Sequence, residues 1–250
     1  GNRRFKKMEK LIWTDENKFF ITTFNKRLYD DYAYKFLQTY AETKQTIKMI
    51  CYVEEDYQYP NYAGITYVNI LKEMPELVAF KERHKDKIWN DDSDFLQNAV
   101  RFSHKVFAQY HASKLGKKFM WLDADNIFMK EIPNNFMDTF IPNDTFTTFY
   151  GRDHYTECGV IGFNSTLNIS KKFFDVYLSH YTKDTIYNLP NKTDCHAFDN
   201  TRKLVSVKER NKNDGHGGHI IARDKEINPY IDHKKGKRKY QPNSPEWVNQ

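Results

Sequence analysis

The sequence predicts an α/β protein with a mostly parallel central sheet. Phe19–Phe24 and Ile47–Val53 are apolar runs separated by a Tyr- and Ala-rich helical stretch over 29–44, the β-α-β order from which parallel sheets grow. An amphipathic helix over 94–115, stopped by Gly116, leads into Phe119-Met-Trp-Leu122. That unbroken apolar run suits a strand buried on both faces. It ends abruptly in Asp123-Ala-Asp125-Asn126, and open α/β sheets bind ligands at the carboxyl ends of their strands.

The other elements follow in order. Asn25-Lys-Arg27 reads as a polar turn after the first strand, and Glu54-Glu55-Asp56 follows the second. From 57 to 90 the pattern is irregular, with a short helix near Asn69–Met74. In the helix over 94–115, Leu96, Ala99, Ser103, Val106, Phe107 and Tyr110 share one face. Arg101 and Lys105, four residues apart, fall together on the opposite, exposed face. Ile132-Pro133 closes a loop, Phe146–Phe149 is a strand, and Cys158–Asn164 is a Gly-bracketed, buried strand. Lys171–Tyr181 and Phe198–Lys203 read as helices, and the chain beyond Asn211 is loop-rich. The expectation is one domain over 19–240, with a basic extension over 1–18 and a tail over 241–250.

Composition narrows the class. With 17 Tyr and 19 Phe in 250 residues, the chain has the aromatic content of a packed core despite a mean hydropathy of -0.83, which argues against disorder. No apolar stretch approaches the length of a membrane span. The net charge of +6 is too modest for a dedicated nucleic-acid binder, although basic residues gather at Arg3–Lys10 and again at His233–Lys239. Cys51, Cys158 and Cys195 are odd in number and form no Cys-x-x-Cys pair, which favours reduced thiols and a cytoplasmic setting (host cytoplasm if viral). Four Asn-x-Ser/Thr triplets are what chance gives in a chain this rich in Asn.

The chemistry centres on Asp123 and Asp125. Residues i and i+2 of extended chain point the same way, so both carboxylates aim at one point past the strand. Two hard oxygen ligands suit a divalent cation, and that cation suits a diphosphate. The competing reading is a plain Asp-Asn turn. His216-x-x-His219 has zinc-compatible spacing but no further ligands nearby, and reads better as part of a flexible Gly-rich loop. There is no Gly-x-x-x-x-Gly-Lys-Ser/Thr loop and no Gly-x-Gly-x-x-Gly.

Several pieces together resemble one family. Trp121-Leu-Asp-Ala-Asp125, the Gly-bracketed strand, Asp194 ahead of Phe198-Asp199, and His233-x-x-Gly236-Lys237 resemble a GT-A glycosyltransferase, with the closest likeness to the glycogenin-like family 8 enzymes. The resemblance runs from Phe19 to Lys239. It implies a single-domain, Rossmann-like nucleotide-diphospho-sugar transferase fold, and transfer of a sugar from a UDP-sugar to a hydroxyl acceptor with retention of configuration. It also implies Mn²⁺ or Mg²⁺ on Asp123, Asp125 and His233, with Asp123 also near the donor ribose, and Lys237 neutralising the leaving diphosphate that Gly236 lets approach. Thr22, Thr23 and Phe24 would meet the nucleotide, and Arg101 and Lys105 the donor sugar and phosphate. Glu157, Cys158 and Gly159 would border the sugar, and Asp153 and His154 the acceptor. Asp194 and its rival Asp199 would face the reacting sugar. The family often has Asp-Gln where this chain has Asp194-Cys195, which leaves the catalytic helper open.

The acceptor is open too: a glycan, a protein, or hydroxylated DNA, as in phage-type DNA-modifying sugar transferases. A non-catalytic nucleic-acid binder explains the charge but not Asp123-x-Asp125, since bare carboxylates repel phosphate. A nucleotidyltransferase needs a Gly-rich loop after the first strand, where Thr22–Asn25 has no glycine. The five positive charges over Lys234–Lys239 are expected to repel one another, leaving that segment mobile until a metal diphosphate orders it.

Overall fold

A computed structural model describes residues 18–87 and 92–248, so the basic cluster Arg3–Lys10 lies outside the described residues. Seven strands form the central sheet: β1 (Lys18–Phe24), β2 (Met49–Val53), β3 (Ile65–Asn69), β4 (Lys118–Leu122), β6 (Thr147–Tyr150), β7 (Glu157–Asn164) and β8 (Glu209–Asn211). Their order is β3-β2-β1-β4-β7-β6-β8. The β3-β2-β1-β4 block and the β6-β8 pair are parallel, while β7 runs antiparallel to both its neighbours. β5 (Asn126–Phe128) pairs antiparallel with β9 (Ile231–His233) in a separate two-stranded sheet.

Strict alternation along the parallel strands makes this a three-layer protein. Phe19, Ile21, Ile50, Tyr52, Phe119 and Trp121 face one core, and Phe20, Phe24, Met49, Cys51, Met120 and Leu122 face the other. Successive side chains of a strand point to opposite faces, and helices cover both. The helices used below are α1 (Tyr34–Glu42), α2 (Pro75–Arg83), α3 (Ala99–Ser113), α4 (Phe136–Phe140), α5 (Ile169–Thr182), α6 (Asp194–Leu204) and α7 (Ile220–Arg223). The first core packs under α3, α5 and α6, where the rings of Phe146, Phe163, Phe173, Phe174 and Phe198 interlock.

Several boundaries differ from expectation. Asn25-Lys-Arg27 is no free turn: Asn25 caps a helical turn by accepting from the Leu28 amide at 2.9 Å. A π-helical segment, Tyr29–Ala33, then leads into α1. The irregular stretch over 57–90 contains β3 and α2; β3, Ile-Thr-Tyr-Val-Asn, mixes polar and apolar residues and so shows no apolar run, and Pro75 is the first residue of α2, where its missing N–H costs nothing. α3 begins at Ala99, not at 94, because Asn98 accepts from the Arg101 amide at 3.2 Å and fixes the start there. α6 is longer than Phe198–Lys203, starting at Asp194 after the cap residue Thr193. The expected tail is docked: the Ser244 amide donates to Asp232 Oδ2 at 2.8 Å and Arg238 pairs with Glu246.

A cluster of charge joins β2 to α2 and α3. Glu54 Oε1 lies 2.9 Å from His104 Nε2 and 3.0 Å from Lys81 Nζ. Burial pushes the Glu54 carboxyl up, but His104 and Lys81 outweigh it and hold it at about 2. A carboxyl depressed in the folded state contributes stability above its ordinary range near 4.5, and that contribution is lost as pH falls toward 2. Glu54→Gln is therefore expected to cost about 2 kcal/mol at pH 7 and to flatten the decline in stability below pH 5. Urea unfolding at a series of pH values checks this; equal stabilities at pH 7 would remove the cluster from the account.

Candidate active site

The strand order reverses direction between β1 and β4: the chain builds β2 and β3 on one side of β1 and then returns to lay β4 on the other. Such a switch point leaves a crevice at the carboxyl ends of the two strands. Thr22-Thr23-Phe24 end β1, and Asp123 follows β4 directly.

Asp123 continues the alternation of Phe119 and Trp121, so it faces the α3 and α6 side. Its Oδ1 accepts from Trp121 Nε1 at 2.7 Å and from Lys105 Nζ at 2.8 Å. The same ammonium donates to the Cys158 carbonyl at 2.7 Å and pairs with Asp194 Oδ2 at 2.9 Å. Lys105 is thus not on an exposed face. Arg101 is exposed, as read, but Lys105 is 9% exposed, because α3 is covered on nearly every side and its polar residues do not reach solvent by default. Burial works against the ammonium, yet Asp123 and Asp194 hold it well above the usual lysine range.

The second aspartate arrives by a turn, not by extended-chain alternation. The Asn126 amide donates to the Asp123 carbonyl at 3.0 Å, and Asn126 Nδ2 donates to the same oxygen at 2.7 Å. The Asp-Asn turn and the converging carboxylates are the same feature. β5 starts at Asn126, and its register sets His233 of β9 opposite that residue. His233 Nε2 consequently lies 3.7 Å from Asp125 Oδ1. A Cβ on Gly159 would come within 2.4 Å of His233 Nε2, so this glycine makes room for the imidazole.

Ligand atoms of Asp123, Asp125 and His233 lie within 4.8 Å of one another, and Asp125 Oδ1 is buried without a hydrogen-bond partner. Burial pushes the Asp125 carboxyl up, His233 and Lys239 oppose that, and Asp123 adds to it. Two carboxylates and an imidazole, with one oxygen buried and without a hydrogen-bond partner, fit a divalent cation of the Mn²⁺ or Mg²⁺ kind.

The basic carboxyl-terminal segment forms the opposite wall, and three of its five cations meet carboxylates. Lys235 Nζ meets Glu157 Oε2 at 2.6 Å, Lys239 Nζ lies 3.9 Å from Asp125 Oδ2, and Lys234 donates to the Gln241 carbonyl. The expected mutual repulsion is therefore offset by carboxylates from the body of the protein. Lys237 is exposed on the 3-10 turn Gly236–Tyr240, whereas Lys239, which was not singled out in the sequence, reaches the aspartates. Three residues per turn set Gly236 and Lys239 on one side, and Gly236 starts the turn at φ +60°.

Other candidates divide sharply. Thr22 is buried with an unpartnered hydroxyl, Thr23 donates to the Tyr52 carbonyl at 2.9 Å, and Phe24 is core, edge-on to Tyr59. The ring nearer the carboxylates is Tyr32 of the π-helical segment, with Lys239 Nζ 4.5 Å from its centre. Burial, then Asp125 and Asp123, push its phenol well up. Glu157 is held at about 2: burial opposes, but His233, Lys235 and Arg152 prevail. Asp199 accepts from Thr156 N at 2.9 Å, Thr156 Oγ1 at 2.5 Å and Arg202 Nη2 at 2.8 Å, which makes it a brace for the β6–β7 loop. Asp153 and His154 are exposed in that loop, and Glu55 caps the Lys26 amide. His216 and His219 join no group of three ligands among the described residues.

No protein-family model matches the chain, and no curated protein matches it. Solved structures do. Mouse xyloside xylosyltransferase 1, apo form, is 9% identical over 77% of this chain and 84% of that one, at a TM-score of 0.49. The galactosyltransferase LgtC, in complex with donor and acceptor sugar analogs, is 14% identical over 78% and 73%, at 0.43. The glycosyltransferase GlyE of Streptococcus pneumoniae TIGR4 is 13% identical over 78% and 45%, at 0.42. At such scores and identities the likenesses carry no weight of their own; the strand order and the side chains do.

Two substitutions test this geometry. Lys105→Gln leaves Asp194, 3% exposed, without its cation and is expected to cost about 3 kcal/mol; a loss under about 1 kcal/mol in urea unfolding contradicts the buried bridge. Gly159→Ala pushes against His233 and is expected to weaken Mn²⁺ binding by about tenfold or more, read by calorimetric titration. Unchanged affinity removes His233 from the ligand set.

Proposed function

We propose that the chain is a metal-dependent glycosyltransferase of the GT-A type, similar to the glycogenin-like enzymes, acting on a UDP-sugar with retention of configuration. The observation that carries this reading is the meeting of Asp123, Asp125 and His233 at the switch point of the sheet, with Asp125 Oδ1 buried and without a hydrogen-bond partner. Asp123, Asp125 and His233 would hold Mn²⁺ or Mg²⁺, which supplies charge neutralisation for a departing diphosphate. Lys239 adds a side-chain cation at the same point. Asp194, fixed by Lys105, would orient the donor through its sugar hydroxyls. Of the two acidic candidates on α6, Asp194 and not Asp199 shares the hydrogen-bond network of Asp123.

Ligands that bind the native state raise its melting temperature by mass action. UDP with Mn²⁺ is expected to raise it by several degrees, with much smaller shifts for either alone and for ADP or GDP with Mn²⁺. Asp125→Ala should abolish the joint shift while the fold persists. If no nucleoside diphosphate gives a metal-dependent shift, the proposed function is wrong.

A further inference from the structure

Cys158 lies on β7 and Cys195 in the first turn of α6. Their sulfurs are within 4.8 Å of each other and of the Asp194 carboxylate, and the Cys195 thiol donates to Asp194 Oδ2 at 3.8 Å. The third cysteine, Cys51, belongs to the core on the opposite face of the sheet. We propose that Cys158 and Cys195 are a dithiol modification site, oxidised by a peroxide to an intramolecular disulfide that shuts the crevice chemistry down.

Cys195 is half-buried and Cys158 is 1% exposed, so the oxidant meets Cys195 first. Peroxide converts the Cys195 thiol to a sulfenic acid and releases one water. The Cys158 thiol then attacks that sulfur, forming the S–S bond and releasing a second water. Two thiols give up two electrons and two protons, and one peroxide is reduced to two waters. Burial pushes the Cys158 thiol well up, and at Cys195 the lowering influence of Cys158 is outweighed by burial and Asp194, so the pair reacts slowly and responds to sustained oxidant. The ammonium of Lys105 already sits against Asp194, which disfavours a metal ion on these same three groups.

Closure has a mechanical consequence. Bonded sulfurs lie about 2.05 Å apart, closer than two thiol sulfurs approach without a bond, so forming the bond draws β7 and α6 together. Cys195 adjoins Asp194, and the Cys158 carbonyl is one of the three acceptors of Lys105. Drawing the sulfurs together therefore displaces the Asp194–Lys105–Asp123 chain, and a shift of about 1 Å in a positioned group costs up to about a hundredfold in rate.

The test treats the folded protein with hydrogen peroxide, blocks remaining thiols, and maps tryptic peptides. The expected product joins Asp153–Lys171 to Thr193–Arg202, with Cys51 in its own peptide, reverts with dithiothreitol, and melts several degrees higher than the reduced protein. Cys158→Ser and Cys195→Ser should each lose the cross-link, and Cys51→Ser should keep it. Recovery of Cys158 and Cys195 as separate, blocked thiols overturns the proposal, as does pairing through Cys51. The effect on chemistry rests on the proposed function: release of UDP from UDP-glucose, UDP-galactose or UDP-xylose with Mn²⁺ should fall at least tenfold on oxidation and return on reduction. A cross-link without that fall overturns the switch; a cross-link in a protein inactive on every UDP-sugar beforehand faults the functional reading and leaves the dithiol site standing.

Discussion

The Lys105 ammonium is the constraint on which the site depends. It has three N–H donors, and three acceptors meet it: Asp123 Oδ1, Asp194 Oδ2 and the Cys158 carbonyl. Those acceptors come from the end of β4, the start of α6 and the start of β7, while the lysine belongs to α3. Taking one ammonium and two carboxylates out of water costs several kcal/mol per ion, so the arrangement holds only when every donor is used and the charges alternate. Trp121 supplies the remaining support, donating to the same Asp123 oxygen and setting its ring 5.0 Å from the ammonium. Removing Lys105 leaves Asp194 buried without its cation.

A second set of charges organises the far wall by the same rule. A run of Lys and Arg over 234–239 would be self-repelling in isolation, yet Glu157, Asp125 and Glu246 each take one cation of it. β9 pairs with β5 immediately before the run, so the backbone ladder delivers His233 first and the cations after it. The crevice thus lies between carboxylates fixed by the sheet and cations fixed by a two-stranded clip.

Where the sequence could be read, it was read through apolar runs and helical periodicity. β1, β2 and β4 show as apolar runs and β7 as a Gly-bracketed one, each long enough to stand out from its polar flanks. β5 and β9 have three residues each, too few to show one, yet their register brings His233 to Asp125. Lys105 was misplaced for a related reason: a helical wheel assigns charged residues to solvent, but α3 lies between the sheet and other helices and has almost no solvent face. Spacing also cannot separate Asp194 from Asp199, five residues apart on one helix. Only the Thr156 and Arg202 contacts show that Asp199 is occupied with the loop.

The same pairing bears on the stereochemical outcome proposed. An inverting transfer asks for a carboxylate that takes a proton from the acceptor near neutral pH, and such a base is made by burial without a compensating cation. Glu157 faces the crevice but is held at about 2 by His233, Lys235 and Arg152 despite its burial, which makes it a weak proton acceptor. Asp194 and Asp123 share Lys105. Asp125 is pushed up by burial, but it belongs to the proposed ligand set, where a cation would claim its lone pairs. The carboxylates lining the crevice among the described residues are therefore committed to cations. The retaining course proposed above is one that does not ask for such a base.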